Sequence, residues 1–208
     1  MKIISVKVYK GTTFEVVTDN DKKIYLHADI VADFGVREGL ELSRPELHKI
    51  IYASNFRRAY QYALYCLDYR DYSAKELSDK LVKTYKNKDL CDAVVRKLEE
   101  YGIINDVRYA EKLAFRYVDG RKYGYRRARR EIMLKGISEY IAEDALQIYT
   151  ENFSGNLNHL IKTKYVRMLA DKDDRKSIEK VKNSLIRYGY SYEEINNSIN
   201  EYLDCQED

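Results

Sequence analysis

A mainly α fold is predicted for this chain: tandem three-helix repeats in an elongated curved array, preceded by a small antiparallel β-meander. Three observations predict it. The 208 residues include one proline and nine glycines, so loops are short and helices many. The strand-like runs all fall within the first 30 residues. After Ser43, helix-start signals recur at offsets of about 50 residues, a spacing within the range of helical arrays.

The meander comes first. Ile3–Tyr9 is rich in β-branched residues, and Lys10-Gly11-Thr12 is a turn signal. Phe14–Thr18 follows, then Asp19-Asn20-Asp21 as a second turn, then Lys23–His27. Three short strands are marginal alone, so the meander is expected to dock on a helix. A short helix over Ala28–Phe34 is broken at Gly35 and Gly39. Ser43-Arg44-Pro45-Glu46 is a capping box with proline in the first turn, and the helix it opens runs to about Tyr69.

The repeat shows through its caps. Second helices start near Ser73, Gly124 and Asp173, and third helices near Asp89, Ser138 and Ser191. Leu134-Lys135-Gly136-Ile137 and Leu185 to Tyr190 end alike, each with a glycine for the left-handed residue that closes a helix and an apolar residue to fold back on it. Leu90/Val94/Leu98, Ile141/Ala145 and Ile195/Ile199/Leu203 form the apolar stripes of the third helices. The domains read as a β-rich extension (1–42), the long helix with repeat unit 1 (43–106), unit 2 (107–153) and unit 3 (154–208).

Composition narrows the function. Apolar residues make up 45% and the net charge is only +3, so any role with nucleic acid rests on local clustering. The 21 tyrosines suit small cores near water. Cys66, Cys91 and Cys205 are odd in number and widely spaced, which points away from a disulfide framework or a zinc site and towards a reducing, cytoplasmic setting. The first residues alternate charge with apolar side chains and form no signal-peptide core, and no stretch has the length of a membrane span. His27, His48 and His159 have no partner at ligand or triad spacing, and neither G-x-G-x-x-G nor a Walker A sequence occurs. No catalytic residue, metal ligand or cofactor is predicted, and the chain reads as a non-enzyme.

Residues 116–135 hold eight basic residues against two acidic ones, a local net charge of +6. On a helix, Arg126, Arg127, Arg129 and Arg130 span an arc of roughly 160°, with Ala128 and Ile132 opposite them. Guanidinium groups grip phosphate or carboxylate in bidentate fashion, and the neighbouring Tyr123 and Tyr125 have the chemistry to stack on bases. Arg121, Lys122 and Lys135 extend the cluster. Residues 161–187 are also basic, nine against four, and add Lys176 and Lys180. The four arginines are expected to act together in binding and to be dispensable for stability. Nucleic acid, held through phosphates, and an acidic groove on a protein both fit such a stripe.

Three motifs carry a family resemblance: Tyr69-Arg70 with Ser73-x-x-Glu76-Leu77 and Leu81; Leu98-x-x-Tyr101-Gly102-Ile103-Ile104-Asn105-Asp106-x-Arg108-Tyr109-Ala110; and Gly124-x-x-Arg127-x-x-x-Glu131-Ile132-x-x-Lys135-Gly136-Ile137. They resemble the RecX family, regulators of the RecA recombinase, over about residues 59–204. Residues 1–55 look like the N-terminal extension of the longer Gram-positive members. The resemblance implies a non-enzymatic, cytoplasmic monomer that binds the RecA–DNA filament. It also implies that the protein mostly inhibits recombinase, ATPase and coprotease activities, and that it contacts single- or double-stranded DNA with no membrane partner. The alternative is a sequence-nonspecific DNA-binding repeat protein without a recombinase partner.

Overall fold

A computed structural model describes residues 1–205. Strands β1 (Ile3–Lys10), β2 (Thr13–Thr18) and β3 (Lys23–His27) form one antiparallel sheet in that order. Val16 of β2 lies opposite both Val6 and Ile24, so one face of the meander is apolar. The β1–β2 turn places Gly11 at φ +54°, where a glycine costs least. Helix α1 (Ala28–Asp33) follows, and α2 (Arg44–Tyr69) opens with the full Ser43/Glu46 capping box and a first-turn proline.

The chain divides into two compact units, and Met1–Arg70 with Leu77–Tyr101 forms the first. Its meander docks as expected: Ile3, Val16 and Leu26 of the sheet bury against Ile30 of α1, Val36 and Ile50 of α2. The second half of α2 buries a different face. Ala59 and Ala63 are fully covered there, and their small side chains let α4 (Lys88–Glu100) approach through Leu90, Val94 and Leu98. Leu77 and Leu81 of α3 (Ala74–Tyr85) are also fully buried. Along α2, the rings of Tyr52, Phe56 and Tyr60 stand 6.3 Å apart, and the Lys97 ammonium lies 5.6 Å from the Phe56 centroid and 5.8 Å from that of Tyr60. These aromatics form a rim that a lysine covers.

The second unit comprises Asp71–Glu76 and the chain from Gly102 onward. It holds α5 (Asp106–Phe115), a π-turn at Arg116–Gly120, α6 (Tyr125–Met133), α7 (Glu139–Gln147), α8 (Asn152–Thr163), α9 (Arg175–Tyr188) and α10 (Tyr192–Asp204). The starts of α6, α7, α9 and α10 follow the caps read from the sequence. Helix α7 packs on α5 and α6, α10 packs on α8 and α9, and one continuous apolar core runs through both sets. Gly136 (φ +83°) and Gly189 (φ +99°) close their helices in the left-handed conformation, and Ile137 and Tyr190 fold back into the core.

The Asn105-Asp106 pair is a double cap. Asn105 accepts from the Arg108 N–H at 2.9 Å and starts α5. The Asp106 carboxylate accepts from the Ala74 N–H at 2.9 Å and so caps the first turn of α3. Burial, more than any other cause, holds this carboxyl above its ordinary pKa. The same corner is tied by Lys112 to Asp71 at 2.9 Å and by Lys135 to Glu76 at 3.3 Å.

Candidate functional site

Helix α6 is seated on the C-terminal end of α9 by two glycines. A Cβ on Gly124 would lie 2.6 Å from the Gly189 carbonyl carbon, so the two backbones touch. The Gly124 N–H donates to the Tyr188 carbonyl at 2.9 Å, and the Arg126 N–H donates to the Gly189 carbonyl at 3.3 Å. The positive end of α6 thus faces the negative end of α9. These donors are consumed within the fold, so anion binding at this place falls to side chains.

The four arginines divide in two. Arg127 lies over the Tyr123 ring, 3.9 Å from its centroid, and donates to the Arg187 carbonyl at 2.9 Å. It also faces Glu131 at 3.8 Å, one helical turn on. Arg129 is held by α7: its Nε donates to Glu143 at 2.9 Å, and it pairs with Glu139. Arg126 and Arg130 are exposed, and neither side chain has a hydrogen bond or ion pair among the described residues. Ala128 and Ile132 are fully buried on the opposite side, as the helical arc requires.

Helix α9 supplies the rest of the surface. Lys176, Lys180 and Arg187 are exposed at positions that place them along one face of the helix. Arg187 borders two open concavities. One, of about 520 Å³, is lined by Arg126, Arg127 and Arg130 together with Leu134 and Ile186. The other, of about 540 Å³, is lined by Lys180, Asn183 and Ser184 with Tyr165 and Met168. Arg187 therefore joins the α6 arginines to the α9 lysines in one basic strip. In sequence Arg187 is one of nine basic residues in 161–187, and the seating of α6 on the end of α9 sets it apart. Its i+7 spacing from Lys180 was the available signal.

Four other candidates lie off the strip. Tyr123 is buried, stacked on Tyr117 at 5.9 Å and edge-on to Tyr188 at 6.0 Å, so its faces are engaged by the protein itself. Arg121 leans on those rings, 5.7 Å from the Tyr117 centroid and 5.8 Å from that of Tyr123. Lys122 has φ +55°, and its carbonyl accepts from the buried Tyr190 hydroxyl at 2.9 Å. Burial drives the Tyr190 pKa up, which keeps that donor protonated. The Lys135 ammonium pairs with Glu76, and its carbonyl accepts from Ser73. Arg127 and Arg129, though on the same arc as Arg126 and Arg130, are engaged within the fold. Carboxylates of α7 and tyrosines of the core lie within reach of Arg129 and Arg127, and a helical wheel does not show neighbouring helices.

Among the described residues, no helix is long and apolar enough to cross a membrane, and no three His, Cys, Asp or Glu side chains are grouped to hold a metal ion.

Two family models match the chain: the first three-helix domain of RecX over residues 59–98, and the second three-helix domain of RecX over residues 105–146. The regulatory protein RecX of Bacillus pumilus is 26% identical over 99% of this chain and 79% of its own length. The crystal structure of RecX from Lactobacillus salivarius is 31% identical, with a TM-score of 0.66 over 74% of this chain and 99% of that one. A second crystal structure of a regulatory protein RecX shares the fold, with a TM-score of 0.73 over 98% of both chains at 21% identity.

Proposed function

Because this chain belongs to the RecX family of regulatory proteins, we propose that it binds the RecA–DNA filament and restrains its recombinase, ATPase and coprotease activities. The observation that carries this reading is the strip itself. Arg126, Arg130 and Arg187 stand together without carboxylate partners among the described residues and continue into Lys180 and Lys176, and Arg126 and Arg130 lie within the stretch that matches the second three-helix domain of RecX. A filament presents phosphates and carboxylates along its length, and a row of unpaired cations on a rigid helical body is complementary to both. The proposal places the protein in the cytoplasm as a monomer, in keeping with its free cysteines Cys66, Cys91 and Cys205.

The test is a titration of DNA-dependent ATP hydrolysis by RecA with the protein and with R126A/R130A/R187A. Inhibition near stoichiometric levels, lost in the triple variant, supports the reading. Unchanged hydrolysis and strand exchange with the wild-type protein would refute it. The same strip supports a second reading, sequence-nonspecific DNA binding with no recombinase partner. That reading requires tight, strongly salt-dependent binding of the free protein to DNA.

A further inference from the structure

The groove between α6 and α9 is lined by both basic and aliphatic side chains. Leu134 is 68% exposed and Ile186 45% exposed, and both line the groove that holds Arg126, Arg130 and Arg187. An aliphatic side chain seated against these two would be removed from water.

We infer that this groove docks a protein segment that carries an aliphatic side chain beside carboxylates, and that it is not a nucleic-acid site. The inference rests on the filament-binding reading above and names which component of the filament the groove receives: the RecA protomer rather than the DNA.

Three features favour protein. Phosphate oxygens gain nothing from Leu134 and Ile186, whereas an aliphatic side chain seated there is removed from water. No aromatic ring lines the groove among the described residues, and the nearby Tyr123 is buried beneath Arg127, so a base has no ring to stack on. Glu131 also lines the groove, and although it faces Arg127 its carboxylate opposes a polyphosphate backbone more than a segment of mixed side chains. The groove is preorganised as well. The backbone contact of Gly124 with Gly189 and the stacking of Arg127 on Tyr123 fix the spacing of its two walls, so little ordering is required on binding.

The test separates the two partners. The wild-type protein, L134S/I186S and the conservative control L134M/I186V are each titrated onto preformed RecA filaments and, separately, onto a labelled single-stranded oligonucleotide without RecA. Both positions are exposed and the serine changes are neutral, so fold and charge are preserved, and matching thermal melts confirm the fold. Expected is a loss of roughly tenfold or more in filament affinity for L134S/I186S, near wild-type affinity for L134M/I186V, and unchanged oligonucleotide affinity for both. Undiminished filament binding by L134S/I186S overturns the inference and leaves the filament reading standing, as does an equal loss on the bare oligonucleotide. A wild-type protein that fails to bind filaments overturns the filament reading and this inference with it.

Discussion

The guanidinium of Arg127 lies 3.9 Å from the centre of the Tyr123 ring and donates to the Arg187 carbonyl, so this arginine holds α6 to the end of α9. Arg127→Ala is expected to cost about 1–2 kcal/mol, because it removes a partly desolvated cation–π contact together with a charge-assisted hydrogen bond. R126A/R130A is expected to change stability by less than about 0.5 kcal/mol, since both side chains are exposed and unpaired among the described residues. Urea melts of the two variants check this. Equal losses would mean that the whole cluster is structural.

Gly189 makes the sharper test of how α6 is seated. Its φ is +99°, and a Cβ there would lie 2.5 Å from the Arg127 backbone nitrogen. Gly189→Ala should therefore cost more than about 2 kcal/mol, from left-handed strain and from forced separation of the two helices. Gly155 is the internal control. It sits within α8, and a Cβ on it would meet nothing within 4 Å, so Gly155→Ala should be neutral or stabilising by up to about 1 kcal/mol. Melting temperatures of the two variants should move in opposite directions or differ by several degrees.

Much of this architecture is legible in local sequence. Ser43/Glu46 and Ser191/Glu194 form the capping boxes that their spacing announces, and Gly136 and Gly189 close helices in the left-handed conformation. Such signals are local: the hydrogen bonds they predict join residues three or four apart. The site was less legible because its sorting depends on neighbours distant in sequence. Arg129 is neutralised by Glu139 and Glu143 of α7, Tyr123 is covered by Tyr188 from 65 positions on, and Arg187 gains importance only because α9 ends against α6. The Asn105-Asp106 motif could be recognised as a family mark, but its role as a cap on Ala74 was not visible, since nothing in the motif names its acceptor's partner.

That cap has a pH signature. Burial raises the folded-state pKa of Asp106 above its ordinary 3.8, so between the unfolded and folded values the native protein binds more protons than the unfolded chain. The contribution of Asp106 to stability must then fall as pH rises through that window. Asp106→Asn keeps an oxygen acceptor for the Ala74 N–H without the charge. The stability difference, wild type minus D106N, should decrease as pH climbs from 3.8 past the raised value, as read by thermal melts at a series of pH values. Asp106→Ala, which also deletes the acceptor, should be less stable than D106N by about 1 kcal/mol at any of them. A difference between wild type and D106N that grows with pH would contradict the burial account.

Salt dependence separates the electrostatic work of the strip from the apolar contacts of Leu134 and Ile186. If the free protein meets single-stranded DNA through Lys176 and Lys180, which do not line the groove, the log–log salt slope should be about −1.4, at roughly 0.7 per phosphate contact. K176A/K180A should shift it close to zero, because each lysine lost removes one released counterion. L134S/I186S should leave it where it was, since neither side chain carries charge. A slope near zero for the wild-type protein would show that the strip does not engage phosphates and that its cations serve the protein partner alone. A slope unchanged in K176A/K180A would place the phosphate contacts on the α6 arginines that line the groove, against its assignment to protein.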